Sequence, residues 1–270
     1  MANESMIDLT TALEKNLWSL WSHFGRGPKC TLVDKDGVLR FDTPIPTLPY
    51  NAVIRFNVTA DIDRRIDEIF QHYADRNVPF LWILTPTASP KNLDKRLEMR
   101  GFIEIEVCPG MCCSLSVLPT DYDSNVDGIQ IREVSAVDTD AIFELVTWRW
   151  GVPVTVKEYA VEIYKVFQIG TPEATIRIWA VWKDDVPVAK AVLHYAGGVA
   201  GLHGVVTKPE FRGLGLARSL TLHAFHQAAK GGYTTGVLHS STAAQSLYAS
   251  LGFESVAPFR LFAAPGGFHV

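Results

Sequence analysis

The fold of this chain is indicated most clearly by residues 205–218, which read VVTKPEFRGLGLAR. The apolar, β-branched start predicts a strand, and the Lys-Pro-Glu step predicts a turn. A helix is expected over residues 216–230. Its apolar residues recur at helical spacing: Leu216, Leu220, Ala224 and Ala228. Glycine lets a backbone approach a ligand closely, and the free N–H groups of a first helical turn bind anions. The segment therefore predicts a phosphate site between a strand and a helix.

Two common phosphate loops do not fit this spacing. A P-loop requires Lys-Ser or Lys-Thr after its glycines, and a dinucleotide fingerprint requires a third glycine where this chain has Arg218. The run instead resembles the pyrophosphate loop of the GCN5-related N-acetyltransferases (the GNAT superfamily), written Gln/Arg-x-x-Gly-x-Gly/Ala. Arg212, Gly215 and Ala217 stand at its specified positions.

A second motif of the same family follows at residues 241–253, which read STAAQSLYASLGF. This segment resembles Asn-x-x-Ala-x-x-Leu-Tyr-x-x-x-Gly-Phe, with Ser241 in place of the asparagine. A serine hydroxyl still hydrogen-bonds to an amide of pantetheine. Tyr248 is expected on the apolar face of a short helix that Gly252 ends.

The resemblance implies a cosubstrate, acetyl-CoA, and no metal. The residues expected to bind acetyl-CoA are Val205, Val206, Thr207, Arg212, Gly213, Leu214, Gly215, Leu216, Ala217, Arg218 and Ser241. The family uses a tyrosine at the position of Tyr248 as the general acid. A phenol with a pKa of about 10 is protonated at neutral pH, which suits that role. The alternative for Tyr248 is an ordinary core residue.

The general base is less well defined by the sequence. The family often uses a glutamate on its central strands, or an ordered water, and no glutamate lies in residues 186–207. His203 is the first candidate, because an imidazole with a pKa of about 6.5 accepts a proton from an amine. Its side chain is expected on the face of Val205, two residues along the strand. His194 and His239 are rivals, and each of the three histidines has a purely structural alternative.

Composition excludes several functional classes. The chain has 270 residues, a net charge of −4 and a pI of about 6.1, which disfavour a broad nucleic-acid surface. It has no apolar run long enough for a membrane span and no signal-peptide pattern at its start, so a cytoplasmic protein is expected. Four cysteines lack a zinc spacing and are expected to be free thiols.

The sequence predicts an α/β fold of two GNAT-like domains, each a mixed, mostly antiparallel sheet flanked by helices. The polar, turn-rich residues 119–128 are the predicted linker between residues 1–118 and residues 129–270. In the second half, strands are predicted at residues 129–134, 174–182, 186–195, 199–206, 234–239 and 253–263. Its helices are predicted at residues 137–149, 156–167 and 216–230, and around Tyr248.

The first half is expected to be a degenerate copy of the second. A buried strand at residues 80–84 and a helix at residues 93–99 precede Gly101-Phe102, which corresponds to Gly252-Phe253. Leu97 then stands where the second half has its tyrosine. The helix that follows Thr59 begins among acidic residues and has no glycine, so it repels pyrophosphate. The first half is therefore predicted not to bind CoA.

The predicted function is transfer of an acetyl group from acetyl-CoA directly to a primary amine of a small molecule. Two alternatives remain: transfer of a longer acyl group or to a protein amine, and a non-catalytic acyl-CoA-binding module. Trp148, Arg149 and Trp150 line an acceptor pocket or pack between the domains. No membrane or nucleic-acid partner is expected, and both a monomer and a homodimer fit the sequence.

Overall fold

The computed structural model describes residues 8–121 and 128–266. Within these residues the α-helices are α1 Leu9–Ser22, α2 Ile62–Asp75, α3 Leu93–Glu98, α4 Thr139–Trp150, α5 Lys157–Lys165, α6 Leu216–Lys230 and α7 Gln245–Ser250. The strands are β1 Thr31–Lys35, β2 Val38–Asp42, β3 Ala52–Phe56, β4 Leu81–Leu84, β5 Ile103–Ser114, β6 Ile129–Glu133, β7 Ile176–Lys183, β8 Val186–Ala196, β9 Val199–Thr207, β10 Thr235–His239 and β11 Glu254–Ala263. In this part of the chain, no helix combines the length and apolarity that a membrane crossing needs.

All of these strands belong to one sheet, in the order β1-β2-β3-β4-β11-β5-β10-β9-β8-β7-β6. Two neighbouring pairs are parallel, β3 with β4 and β9 with β10, and the other pairs are antiparallel. A parallel pair needs a crossover connection, and α2 and α6 provide the two crossovers. The predicted mixed, mostly antiparallel sheet is confirmed. The elements predicted for the second half are present, with ends close to the predicted ones.

The two halves of the chain exchange their last strands. β5 belongs to the first half but lies between β11 and β10, and β11 of the second half lies between β4 and β5. The two sheets are therefore continuous. Residues 122–127 of the predicted linker lie outside the described residues, and the domain boundaries stay a prediction.

Helix α6 covers one face of the second half. It starts after Gly215 and ends at Gly231. Its apolar stripe packs on β8 and β9 in the largest hydrophobic cluster, where Leu220, Ala224 and Phe225 are fully buried. This packing fixes the start of α6 against the end of β9, as the sequence predicts.

Helix α1 covers the opposite face and joins the two halves. Leu13 and Leu17 pack in one cluster with Ile54 of β3 and with Val199 and Val237 of β9 and β10. Burying apolar surface from both halves under one helix stabilises their arrangement. The same helix carries two fully buried polar side chains, Glu14 and Asn16.

Candidate functional site

The loop between β9 and α6 is open and held by two glycines. Gly213 and Gly215 have positive φ angles of 77° and 74°, which few residues other than glycine adopt readily. A Cβ atom added at either position would meet no atom within 4 Å. The backbone conformation, and not crowding by the protein, requires glycine here. The loop therefore leaves space beside its backbone for a ligand.

The start of α6 presents backbone donors to this space that have no partner within the described residues. Gly215 occupies the N-cap position without a side-chain cap, and the first turn contains no acidic residue. The backbone hydrogen bonds of the helix begin at Ser219, whose N–H donates to Gly215 O at 3.0 Å. The N–H groups of the three preceding residues, 216–218, are left for another partner. Such a helix start favours a phosphate group.

Two arginines lie beside the loop. Arg212 is exposed, and its Nε donates weakly to Thr207 O at 3.4 Å. Arg218 Nη1 donates to Asp121 O at 3.2 Å. Within the described residues neither guanidinium has a carboxylate partner. Both cations are therefore available to an anionic ligand at the loop.

A gap between β9 and β10 leads away from this loop. The two strands pair only where Ala200–Leu202 faces Gly236–Leu238. Beyond that point β9 pairs with β8 alone in the described structure, while His239 of β10 pairs with Gly110 of β5. A free backbone edge of β9 is therefore present over residues 203–207 in the described structure. It suits the amide groups of an extended, pantetheine-like arm.

Tyr248 lies on the α6 side of the sheet. It is only 6% exposed and packs beside Phe253, with ring centroids 6.0 Å apart. Burial raises the pKa of Tyr248 to about 12, and a hydrogen bond with Thr221 of α6 opposes that rise. The phenol is therefore protonated at neutral pH. Ser241, at the start of the preceding turn, is exposed and makes no capping hydrogen bond with its side chain.

His203 lies on the opposite side of the sheet, facing α1. Its Nε2 atom is 2.7 Å from Asn16 Oδ1. Burial, together with His239 and His194, lowers the pKa of His203 well below its usual value. The ring is therefore neutral at physiological pH. Tyr248 and His203 therefore lie on opposite faces of the sheet.

The prediction that His203 shares a face with Val205 is wrong. Val205 packs against the cluster that α6 covers. The reason is a β-bulge: Gly204 has a φ of 53°, and the pairing of β8 with β9 shifts between Lys190 and Val192. An extra residue in one strand interrupts the alternation of side chains.

The rival histidines have different environments. His194 is held from both sides, by Thr175 O at 3.1 Å and Ser19 Oγ at 2.9 Å, and burial lowers its pKa to about 4. His239 has no hydrogen-bond partner for either ring nitrogen within the described residues. It packs on Phe259 at 4.3 Å between ring centroids, and burial lowers its pKa to about 3. His194 is a structural residue by these contacts.

The sequence-based predictions missed two polar residues near the site. Lys190 of β8 is 6% exposed, and its Nζ donates to Gly204 O at 3.0 Å. Burial lowers the pKa of this amine to about 8. Asn16 of α1 is fully buried against His203. For Lys190 the available signal was a lone polar residue within an apolar pattern, VPVAKAVL. Asn16 lies among other polar residues in LEKNLWSL, so no such signal marked it. The side chains of residues 146–150, and so of Trp148, Arg149 and Trp150, lie outside the described residues.

These features define an α/β protein with a helix start that suits a phosphate group and an open strand edge beside it. Residues 139–253 match the sequence model of the Acetyltransferase (GNAT) family. This part of the chain therefore belongs to the GNAT family. No curated protein matches the chain.

Solved structures share the fold along nearly the whole chain. A GCN5-related N-acetyltransferase from Kribbella flavida has a TM-score of 0.70 and 20% identity, covering 97% of this chain and 98% of that chain. A tandem GNAT protein from the clavulanic acid biosynthesis pathway has a TM-score of 0.62 and 12% identity, covering 97% and 95%. A GCN5-related N-acetyltransferase from Sphaerobacter thermophilus has a TM-score of 0.62 and 16% identity, covering 86% and 81%. At these identities the likeness concerns the fold.

Proposed function

We propose that this protein binds one molecule of acetyl-CoA per chain and transfers the acetyl group to a primary amine of a small molecule. The observation that carries the proposal is the continuous path from the glycine loop along the free edge of β9. GNAT membership of residues 139–253 supports acyl transfer in general.

The residues present suit acetyl-CoA at each part of this path. The N–H groups of residues 216–218, with Arg212 and Arg218, would hold the pyrophosphate. Val205, Val206 and Thr207 would offer backbone groups to the pantetheine arm, and the buried Thr207 hydroxyl has no partner within the described residues. Ser241 would offer its exposed hydroxyl to the same arm. When bound, acetyl-CoA supplies a thioester carbonyl for attack by an amine.

Two side chains would handle the protons of the reaction. His203 is neutral and accepts a proton from the incoming amine. Tyr248 is protonated and donates a proton to the departing thiolate. No metal has a role in this scheme.

Free thiols support a cytoplasmic setting for this reaction. Cys30, Cys108, Cys112 and Cys113 are all unpaired, and the two most buried, Cys108 and Cys113, have pKa values that burial raises to about 12. Unpaired, unreactive cysteines are typical of a reducing compartment.

Titration calorimetry and thiol release together test the proposal. Calorimetry with CoA is expected to give one site per chain. Acetyl-CoA with a panel of small amines is expected to release free CoA thiol in the presence of the protein. Binding without thiol release for any small amine, protein amine or longer acyl-CoA would indicate a binding module and overturn the proposal. Release only with protein amines or longer acyl-CoA would overturn the proposed substrate.

A further inference from the structure

Asn16 belongs to the first half of the chain, yet its side chain lies against the candidate site of the second half. It is fully buried on α1. Its Nδ2 group donates to His194 O at 3.0 Å and to Ala196 O at 3.1 Å. Its Oδ1 atom faces His203 Nε2 at 2.7 Å. Every hydrogen-bonding atom of this amide therefore has a partner.

These three contacts fix the orientation of the amide. Nδ2 carries two hydrogens, and each has a backbone carbonyl as its acceptor. A flipped amide would place its oxygen against two carbonyl oxygens, so the network allows one assignment. Oδ1 only accepts hydrogen bonds. His203 Nε2 must therefore donate, and in the neutral ring the proton acceptor is Nδ1.

The position of Gly201 depends on the same amide. A Cβ atom at Gly201 would lie 1.9 Å from Asn16 Oδ1 and 2.5 Å from its Cγ. Gly201 does not need a positive φ angle, so space for Asn16 is what the structure requires of this residue. β9 is thus shaped to receive a side chain from the other half.

His203 is the first residue of β9 beyond its pairing with β10. It is half-buried and makes no other hydrogen bond within the described residues. His239, at the end of β10, lies across the gap with ring centroids 5.9 Å apart. The ring therefore lies where the strands separate, with its Nδ1 atom unused.

We infer that Asn16 is a positioning residue of the acyl-transfer site, which holds His203 with Nε2 protonated and Nδ1 ready to accept a proton. The inference rests on the proposed function for its catalytic part. As the amine nitrogen bonds to the acetyl carbon and the carbon–sulfur bond breaks, the amine proton passes to Nδ1. The Nε2–H bond to Asn16 persists in the resulting imidazolium. The first half thereby contributes to catalysis in the second.

The electrostatic surroundings of His203 define what a charge at position 16 would do. His194 on β8 and His239 on β10 act on the ring, and both are neutral at pH 7. Lys190, on β8, donates to Gly204 O. On α1, Glu14 accepts hydrogen bonds from Thr87 N and Oγ1, both at 2.8 Å. Asn16→Asp would place an anion beside Nε2–H and favour the imidazolium.

The test combines a tautomer measurement with a pH–rate profile. Long-range proton–nitrogen NMR of the wild-type protein, assigned with His203→Gln, is expected to show the Nε2–H tautomer of His203. Asn16→Asp should shift the acidic limb of kcat/KM to higher pH by about one unit or more. Asn16→Leu should lower kcat about tenfold or more with CoA affinity unchanged. Glu14→Gln, a matched change on the same helix, should alter neither the limb nor the tautomer.

An Nδ1–H tautomer in the wild-type protein would overturn the inference, and this result does not depend on the folding of any variant. An Nε2–H tautomer with the same acidic limb in the wild type, Asn16→Asp and Glu14→Gln would overturn the catalytic role of Asn16. If no amine releases thiol while the tautomer is as expected, the proposed function fails and the Asn16–His203 geometry stands.

Discussion

The two crossover helices of the molecule begin in related ways but face different surroundings. α6 follows β9 through residues 208–215, and α2 follows β3 through the shorter segment 57–61. Both N-cap residues are left-handed, Gly215 with φ 74° and Asp61 with φ 53°, and neither provides a side-chain cap. The two halves share this left-handed N-cap, which is an acid in the first half and a glycine in the second.

Acidic residues in the first turns of α2 pair with arginines. In the described structure, the start of α2 therefore lacks the free positive charge found at the start of α6. Asp61 bonds Arg64 at 2.8 Å, and Asp67 bonds Arg100 at 2.6 Å. Asp63, in the first turn, pairs with Arg96 and Arg100. The helix dipole and these arginines are both satisfied by carboxylates of the chain. A pyrophosphate would meet negative charge there.

The first half also lacks the open strand edge. Ser89 N donates to Phe56 O at 3.0 Å, and Val58 N donates to Ser89 O at 3.3 Å. The chain after β4 therefore occupies the edge of β3 that corresponds to the free edge of β9. Both differences support the prediction that only the second half binds CoA.

The short helices α3 and α7 end with matching backbones and differ in the side chain at the position of Tyr248. Phe102 N donates to Leu97 O at 3.2 Å, and Phe253 N donates to Tyr248 O at 3.1 Å. The glycine before each phenylalanine is left-handed. The two helix ends are equivalent, so Leu97 occupies the position of Tyr248. At this position the second half has a phenol hydroxyl, the proposed proton donor, and the first half has none.

Tyr248→Phe should have the largest effect on the rate of acetyl transfer, because it removes the phenol hydroxyl and keeps the ring. We expect thiol release to fall about 100-fold to 10,000-fold, the usual contribution of a general acid. CoA affinity by calorimetry should be unchanged, since the substitution leaves the glycine loop, Arg212 and Arg218 as they are. Thr221→Val, which removes the neighbouring hydroxyl, is the control and should retain most of the rate. Full turnover by Tyr248→Phe would exclude the general-acid role.

Gly215→Asp places the residue of the first half into the loop of the second. Aspartate tolerates the left-handed conformation, so the change tests charge more than backbone strain. Gly215→Asn is the matched control, with nearly the same shape and no charge. Repulsion of the pyrophosphate should make the dissociation constant of CoA about 100-fold higher for the aspartate than for the asparagine variant. Equal constants for the two variants would show that charge does not separate the two helix starts.

The sequence was sufficient to predict a glycine start for one crossover helix and an acidic start for the other. Residues 216–230 form the predicted helix because their apolar spacing and flanking glycines act locally. The strand exchange was not predictable, since β5 and β11 are each compatible with either half. The contact of Asn16 with His203 joins residues far apart in the chain. The bulge at Gly204 depends on pairing with β8, so simple strand alternation gave the wrong face for Val205.

Each half has a cation on the strand before its crossover strand, on β2 before β3 and on β8 before β9, and this pair extends the contrast. Arg40 of β2 pairs with Asp42 at 2.8 Å, whereas Lys190 of β8 has only a carbonyl partner in the described residues. Burial lowers the pKa of Lys190 from 10.5 to about 8, so its charge destabilises the fold below pH 8. This penalty is relieved as the pH rises from 8 to 10.5. Over that window, we expect the free energy of unfolding to increase by up to about 3 kcal/mol.

Urea unfolding at several pH values measures this rise in the free energy of unfolding. Lys190→Met should lose the rise between pH 8 and 10.5. Arg40→Met is the counterpart in the first half and should destabilise the protein by about 3 kcal/mol, because it leaves the buried Asp42 carboxylate without its arginine. An unchanged alkaline rise in Lys190→Met would assign the effect to another group.

Acid should weaken the second half through its neutral histidines. Burial lowers the pKa of His239 to about 3 and of His194 to about 4, while an unfolded chain takes up protons near pH 6.5. Their contribution to stability is therefore present above pH 6.5 and is lost as the pH falls toward these values. Each should cost about 2 kcal/mol between pH 7 and pH 5.

His239→Leu should reduce that loss by the share of one histidine, as measured by urea unfolding at pH 7 and pH 5. His72 of the first half differs in having a carboxylate partner, Asp42, at 2.9 Å. His72→Leu is the matched control and should leave the acid loss in place, because it leaves His194 and His239 unchanged. If both variants lose stability on acidification as the wild type does, the acid sensitivity does not come from His239.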